Sequence, residues 1–218
     1  MNISILQPKI IRGNIKNNTK AIQGLIDNAS GTFMILAEYA LTGSLVLEND
    51  VDVKEWIISS REAIDMLNIP ENKQLLINSL VESDGRIYNS CSILPGNKIL
   101  QTKTNLDEIE SRAGVNSGNG VSLVQIEHKN ISIIICSDLK IINEISTDGA
   151  DLILFIFHFT PDNLEKRVCD LVHLSEERGL PIVSASLCSD RNNGHSCYIN
   201  GTTVVSIGNY EGILEIKI

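Results

Sequence analysis

A single α/β domain layered as helix, sheet, sheet and helix is the fold class that the sequence predicts, on three observations. Apolar, β-branched runs such as 131–135 and 152–157 lack the alternation of a half-solvated strand and read as strands covered on both faces. Segments with a helical period lie between such runs, the arrangement that places helices over a sheet. No internal repeat, charge block or Pro/Ser-rich linker divides the 218 residues. A chain of this length buries roughly 70 % of the surface exposed when unfolded, so one large core is possible.

The elements follow in order. Residues 3–6 read as a strand, 18–28 as a helix capped by Asn18 or Thr19, and 33–36 as a second, buried strand. Residues 52–67 carry the helical period, and Pro70 marks the exit. From residue 74 the pattern changes to an antiparallel meander. Asp84-Gly85 joins the runs 75–81 and 86–94, and Pro95-Gly96-Asn97 leads into 98–102. A glycine- and asparagine-rich loop at 114–120 precedes strands at 121–126 and 131–135 around a His-Lys-Asn turn. A short helix is expected near 140–147, then a strand at 151–157, a helix at 162–178, a strand at 181–186 and a hairpin at Asn200-Gly201.

Composition narrows the function. Phe, Tyr and Trp make up only 4 % of the chain, so the core must rest on Ile, Leu and Val. A formal net charge of -9 argues against nucleic acid, whose recognition draws on clustered Lys and Arg. The expected partner is a small molecule or another protein. The amino-terminal stretch lacks a basic segment followed by an apolar run, and no apolar run approaches the ~18 residues of a membrane span, so a cytoplasmic, membrane-free protein is expected. Five cysteines form an odd set without C-x-x-C spacing, which predicts reduced thiols. The sequence holds no Walker loop, G-x-S-x-G, HExxH or EF-hand loop, and Gly118-Asn119-Gly120 lacks the third glycine of a dinucleotide fingerprint. His128, His158, His173 and His195 lack metal-ligand spacing. Neither a cofactor nor a metal is expected.

Reactive side chains stand where strands end. Glu38 follows Phe-Met-Ile-Leu-Ala directly, at the carboxyl end of a buried strand, where ligand sites of α/β sheets form. Desolvation there is expected to raise its pKa and suit it to general-base work. Cys136 ends the run Ile131-Ser-Ile-Ile-Ile, and a following helix or a nearby lysine would lower its thiol pKa. Lys103 follows Lys-Ile-Leu-Gln-Thr, placed to stabilise an oxyanion. Each also has a bland reading: a strand-end Glu reaching solvent, a small core Cys, an exposed loop Lys. Cys91 in a meander strand, Cys169 on a helix, and Cys188 and Cys197 beside a loop are weaker nucleophile candidates.

Together these residues resemble the nitrilase (carbon-nitrogen hydrolase) superfamily, whose catalytic set is Glu, Lys and Cys in that chain order. Ala-Glu-Tyr-Ala-Leu-Thr-Gly (37–43) is similar to the family's Pro-Glu-x-x-Leu-x-Gly segment. Tyr-Asn-Ser (88–90) resembles the strand before its lysine, and Lys-Thr-Asn-Leu-Asp-Glu-Ile-Glu (103–110) the lysine loop with a second glutamate, Glu110. Ile-Cys-Ser-Asp-Leu (135–139) looks like the nucleophile motif and Gly-Ala-Asp-Leu-Ile (149–153) like the strand after it, while Gly-His-Ser (194–196) and Glu-Gly-Ile-Leu (211–214) fit the closing strands.

The resemblance implies a four-layer α-β-β-α sandwich of the nitrilase type, hydrolysing a non-peptide C-N bond in a small amide, carbamoyl compound or nitrile. It implies a thioester on Cys136, proton transfer by Glu38, and oxyanion binding by Lys103 and a backbone N–H. Glu110 would position Lys103 or the substrate, and Asp138 would be structural. A homodimer, paired through sheet layers and a carboxyl-terminal strand, is implied as well. The family's Phe-Pro-Glu after the nucleophile is replaced by Lys-Ile-Ile-Asn-Glu (140–144), Phe-His-Phe-Thr (157–160) replaces a Pro-containing stretch, and Ser186 stands where Asn is common. These changes fall around the substrate pocket, where Tyr39, Ser137 and His158 join Glu110 as candidates for binding or positioning substrate. Acyl transfer from the same cysteine, or a degenerate binding module, are the rival readings.

Overall fold

The computed structural model describes residues 1–44, 52–158 and 160–218. In chain order its elements are β1 (Asn2–Gln7), α1 (Ile15–Asn28), β2 (Phe33–Ile35), α2 (Val53–Met66), β3 (Gln74–Ser83), β4 (Arg86–Leu94), β5 (Lys98–Thr102) and α3 (Glu108–Arg112). There follow β6 (Leu123–Ile126), β7 (Lys129–Ile135), a 3₁₀ segment (Cys136–Glu144), β8 (Leu152–Ile156), α4 (Leu164–Arg178), β9 (Ile182–Ala185), β10 (Cys197–Asn200), β11 (Thr203–Ser206) and β12 (Gly212–Lys217). Among the described residues no helix is long and apolar enough to cross a membrane.

Two six-stranded mixed sheets form, in the orders β12-β1-β2-β3-β4-β5 and β11-β10-β9-β8-β7-β6. Their inner faces meet in one core built from Ile3, Ile5, Phe33, Ile35 and Leu76 on one side and Ile131, Ile133, Ile135, Leu154 and Ile156 on the other. The alternate residues turn outward: Met34, Leu75 and Ile77 pack under α1 and α2, and Ile134, Ile153 and Phe155 under α4. This double coverage is why β2 and β8 are apolar at every position. The result is the predicted α-β-β-α sandwich.

Three local expectations are corrected. Helix α1 begins at Ile15 and is capped by Asn14, whose side chain accepts the Asn17 N–H at 3.3 Å, so neither Asn18 nor Thr19 is the cap. Asn18 is instead buried within the helix, and its amide is used up on the preceding loop. It accepts from Ile11 N and donates to the carbonyls of Ile11 and Leu41, each at 2.8 Å. The helix expected at 140–147 is a 3₁₀ segment that starts at Cys136 itself. Within the segment expected as the lysine loop lies helix α3, closed by a capping box: Asp107 accepts from Ile109 N and Glu110 N, and Glu110 accepts from Asp107 N.

Asn18 ties α1 to the loop beyond β1 and to the segment that follows Glu38. Replacing it by Ala removes three hydrogen bonds worth about 1 kcal/mol each, among them the buried one to the Leu41 carbonyl. Urea unfolding of Asn18→Ala is expected to show a loss of about 2–3 kcal/mol, against at most about 0.5 kcal/mol for Asn17→Ala on the exposed face. Equal losses would contradict this account of the helix.

Candidate active site

Strands β1, β2 and β3 run parallel, as do β7, β8 and β9. Strand β5 is antiparallel to β4, which is antiparallel to β3, so β5 runs with β2. Glu38 lies just beyond β2, Lys103 directly after β5, Cys136 directly after β7 and His158 just past β8. Four chain segments thus deliver chemistry at strand carboxyl ends.

Lys103 is 1 % exposed, and its Nζ lies 2.9 Å from Glu38 Oε1 and 2.8 Å from Glu110 Oε2. An ammonium group so buried is tolerated only when paired and hydrogen-bonded. Asn89 completes the cluster: its one amide nitrogen donates to Glu38 Oε1 and to Glu110 Oε1, both at 2.8 Å. The Tyr39 hydroxyl also donates to Glu110 Oε1 at 2.8 Å. Asn78 orders Asn89 from behind, donating to its Oδ1 at 2.6 Å while accepting from Tyr39 N at 3.0 Å. Asn89 and Asn78 are the site residues that sequence reasoning missed. Their signal was an amide in mid-strand, Asn78 after Leu-Leu-Ile and Asn89 within Tyr-Asn-Ser.

Burial works to strip the Lys103 proton, but the carboxylates of Glu38 and Glu110 outweigh it and hold the group cationic. Burial likewise pushes the Glu38 carboxyl up, yet Lys103, His158 and Asn89 more than offset this and its pKa is lowered. The expectation of a raised Glu38 is therefore corrected: the buried ammonium at 2.9 Å, not desolvation, decides its charge. Glu110 is pushed up by its burial and by Glu38, and Tyr39 by its burial and by both carboxylates.

Cys136 is partly buried against both the inter-sheet core and the core under α4. Its pKa is raised well above that of an ordinary thiol, chiefly by burial and then by Glu38, with Lys103 acting in the opposite sense. The expected lowering is thus corrected. The 3₁₀ start supplies no long helix dipole, and the single cation is shared by two carboxylates. At neutral pH the group is a thiol facing an ionised carboxylate. Its backbone has φ 46°, and Tyr39, next to Glu38, has φ 51°. Non-glycine residues in this left-handed region carry a strain of order 1 kcal/mol and gather at functional turns.

A second set of contacts ties the cysteine turn to the lysine loop. Buried Asp138 accepts from Thr104 N at 3.0 Å and Asn105 N at 2.6 Å through Oδ1, and from Ile135 N at 3.4 Å through Oδ2. Asn105 Nδ2 donates to the Ser137 carbonyl at 2.6 Å, and the Ser137 hydroxyl donates to the Asn105 carbonyl. Gly118 closes the far side, its N–H on the Lys103 carbonyl at 2.8 Å. A Cβ there would fall 2.7 Å from the Thr102 carbonyl oxygen, so the glycine is required.

His158 places Nε2 3.5 Å from Glu38 Oε2. Its neighbour Phe159 lies outside the described residues. Cys91 and Cys197 are buried with thiols pushed up to about 12 by burial, and Cys169 is exposed on α4. Among the described residues no cluster of His, Cys, Asp and Glu is placed to hold a metal.

Neither a protein-family model nor a curated protein matches the sequence. Solved structures do match in shape. A glutamine-dependent NAD+ synthetase from Acinetobacter baumannii superposes with a TM-score of 0.83 at 18 % identity, over 98 % of this chain and 44 % of that one. This chain therefore spans less than half the length of that synthetase. An amidase from Nesterenkonia sp. superposes with a TM-score of 0.80 at 14 % identity, over 100 % of this chain and 90 % of the amidase. A variant of that amidase, at 15 % identity and a TM-score of 0.80 over 100 % and 90 % of the two chains, carries the acetamide moiety of fluoroacetamide on its active-site cysteine. The chain has the fold of nitrilase-superfamily amidases.

The clamp yields a pH prediction. Burial pushes the Asp138 carboxyl up to about 6, against the three backbone N–H groups that lower it. The folded pKa lies above the unfolded value of 3.8, so the native state binds the proton first and stability falls as pH rises between the two. The unfolding free energy of the wild type relative to Asp138→Asn should fall by about 2 kcal/mol from about pH 4 to pH 6 and level off above. A difference that is flat, or rises, across this window would contradict the assignment.

Proposed function

We propose that the chain hydrolyses a non-peptide carbon–nitrogen bond in a small amide or carbamoyl compound through a thioester on Cys136. The observation that carries this reading is the buried Lys103 held between Glu38 and Glu110, with Cys136 in the electrostatic field of all three. An ionised carboxylate facing a neutral thiol is a base poised to act when sulfur attacks, and geometry of this kind needs no histidine.

In this mechanism Cys136 sulfur bonds to the carbonyl carbon as its proton passes to Glu38. The carbonyl π electrons move to oxygen. Two of the three Lys103 hydrogens are taken by carboxylates, and the third points the oxyanion to its place. Collapse of the tetrahedral species breaks the C–N bond, and Glu38 returns the proton to the departing nitrogen. Water, deprotonated by Glu38, then attacks the thioester; the acid leaves and Cys136 regains its proton. Glu110, which touches Lys103 but lies behind it, is a positioning residue. Asn89 holds both carboxylates in register.

The reading is tested by intact-protein mass spectrometry with a panel of small amides and fluoroacetamide. Glu38→Gln is expected to accumulate an adduct on Cys136 and to lower turnover by at least about 10². Cys136→Ala should take no adduct and release no ammonia. An adduct mapping to Cys91 or Cys188, or ammonia release unchanged in Cys136→Ala, would overturn the proposal. Acyl transfer to an added amine, in preference to water, would keep the site and change the reaction.

A further inference from the structure

The outer face of the first sheet changes character part of the way along its strands. Met34, Leu75, Ile77 and Leu94 fill the space under α1 and α2. Asn78 and Asn89 point inward to the charged cluster, so the strand alternation turns their neighbours Ser79 and Ser90 outward, opposite each other on β3 and β4, with Ser92 next on the same face. Ser90 and Ser92 are fully buried, and their hydroxyls have no hydrogen-bond partner among the described residues. Small polar side chains at such positions cost stability twice, in lost packing and in unpaired hydroxyls, so this floor calls for a reason other than stability.

The consequence of the serine floor is a cleft of about 150 Å³ between α2 and β5, lined by Ile57 and Ile64 from the helix, Ile99 from the edge strand, and Ser79. Ser79 is 4 % exposed, and its hydroxyl has no partner among the described residues. Drug-sized ligands occupy roughly 300–1,000 Å³, so this cleft suits something much smaller. Arg61 of α2 and Glu82 near the end of β3 border the same cleft, both exposed. Among the described residues neither has an ion-pair or side-chain hydrogen-bond partner, and they do not pair with each other. A cation and an anion held apart beside one small cleft complement a molecule that carries the opposite two charges close together. The guanidinium fork matches a carboxylate, and the Glu82 carboxylate accepts from an ammonium.

We infer that this cleft binds a small free α-amino acid with an aliphatic side chain, of the size of valine or leucine. Its carboxylate lies on Arg61 and its ammonium group on Glu82, with the Ser79 hydroxyl accepting a second ammonium hydrogen. Its side chain packs against Ile57, Ile64 and Ile99, the last of which is otherwise 43 % exposed. No covalent bond forms or breaks. The cleft lies on the opposite face of β3 and β4 from Asn78 and Asn89, and the inference does not rest on the hydrolase reading.

The test is calorimetric titration and thermal unfolding with L-leucine and L-valine, beside 4-methylpentanoate, which lacks the ammonium, and 3-methylbutylamine, which lacks the carboxylate. Wild type is expected to bind the amino acids with a Kd between about 10 μM and 1 mM. At about 100 times Kd the Tm should rise by about 5 °C or more. Each half-molecule should bind at least about 10-fold more weakly. Arg61→Gln and Glu82→Gln should each weaken leucine binding by at least about 10-fold while leaving the Tm without ligand within about 2 °C of wild type. Ser79→Val, which narrows the floor and removes the hydroxyl, should abolish binding without lowering that Tm. The inference is overturned by the absence of saturable binding to wild type, by half-molecules that bind as well as leucine, by leucine affinity unchanged in both charge variants, or by binding of glutamine in preference to leucine.

Discussion

A single buried ammonium group organises the charges around it. Lys103 is paired with two carboxylates in the interior, and removing either would leave a buried charge short of a partner, a change that costs about 3–5 kcal/mol for such pairs. The arrangement carries more negative than positive charge, and its neighbours respond to that. Cys136 keeps its proton, Tyr39 stays a hydroxyl donor, and Glu38 stays ionised because Lys103, His158 and Asn89 together outweigh its burial. Carboxylate and thiol are therefore held in complementary protonation states.

Holding three charges together requires the surrounding backbone to be stiff. Two parallel strand triads fix the origins of the Glu38 and Cys136 segments, and the meander fixes that of Lys103. The loops between are tied by polar contacts rather than by packing alone. Asp138 and Ser137 bind the lysine loop to the cysteine turn, Asn89 and Asn78 bind the two carboxylates to the meander, and Asn18 anchors the segment after Glu38. Buried hydrogen bonds of this kind are short-ranged and directional, so they place side chains more finely than an apolar core does.

Much of this could be read from the chain. The layered fold followed from runs such as 131–135 and 152–157 that lack polar alternation, because a sheet covered on both faces has that pattern, and Glu38, Lys103 and Cys136 were visible as reactive groups at strand ends. Protonation states were not. Strand-end position says that a group is desolvated, but the sign of its shift depends on which opposite charge lies within about 3 Å, a tertiary fact. The same holds for Asn18, read as a cap and found as a buried anchor, and for Asn89, quoted in a motif without a role. The 3₁₀ turn after Cys136 escaped because its contacts come from residues 104 and 105, some thirty positions away in sequence.

The claim on which the rest depends is that Cys136 is a neutral thiol held opposite an ionised Glu38. It is tested most directly by titrating thiolate ultraviolet absorbance in wild type against Cys136→Ser. The account predicts that the difference shows no thiolate step below pH 9, the ordinary value for the group. A full step near neutral pH would mean that Lys103 stabilises a resting thiolate, and the arrangement of charges argued for this site would be wrong.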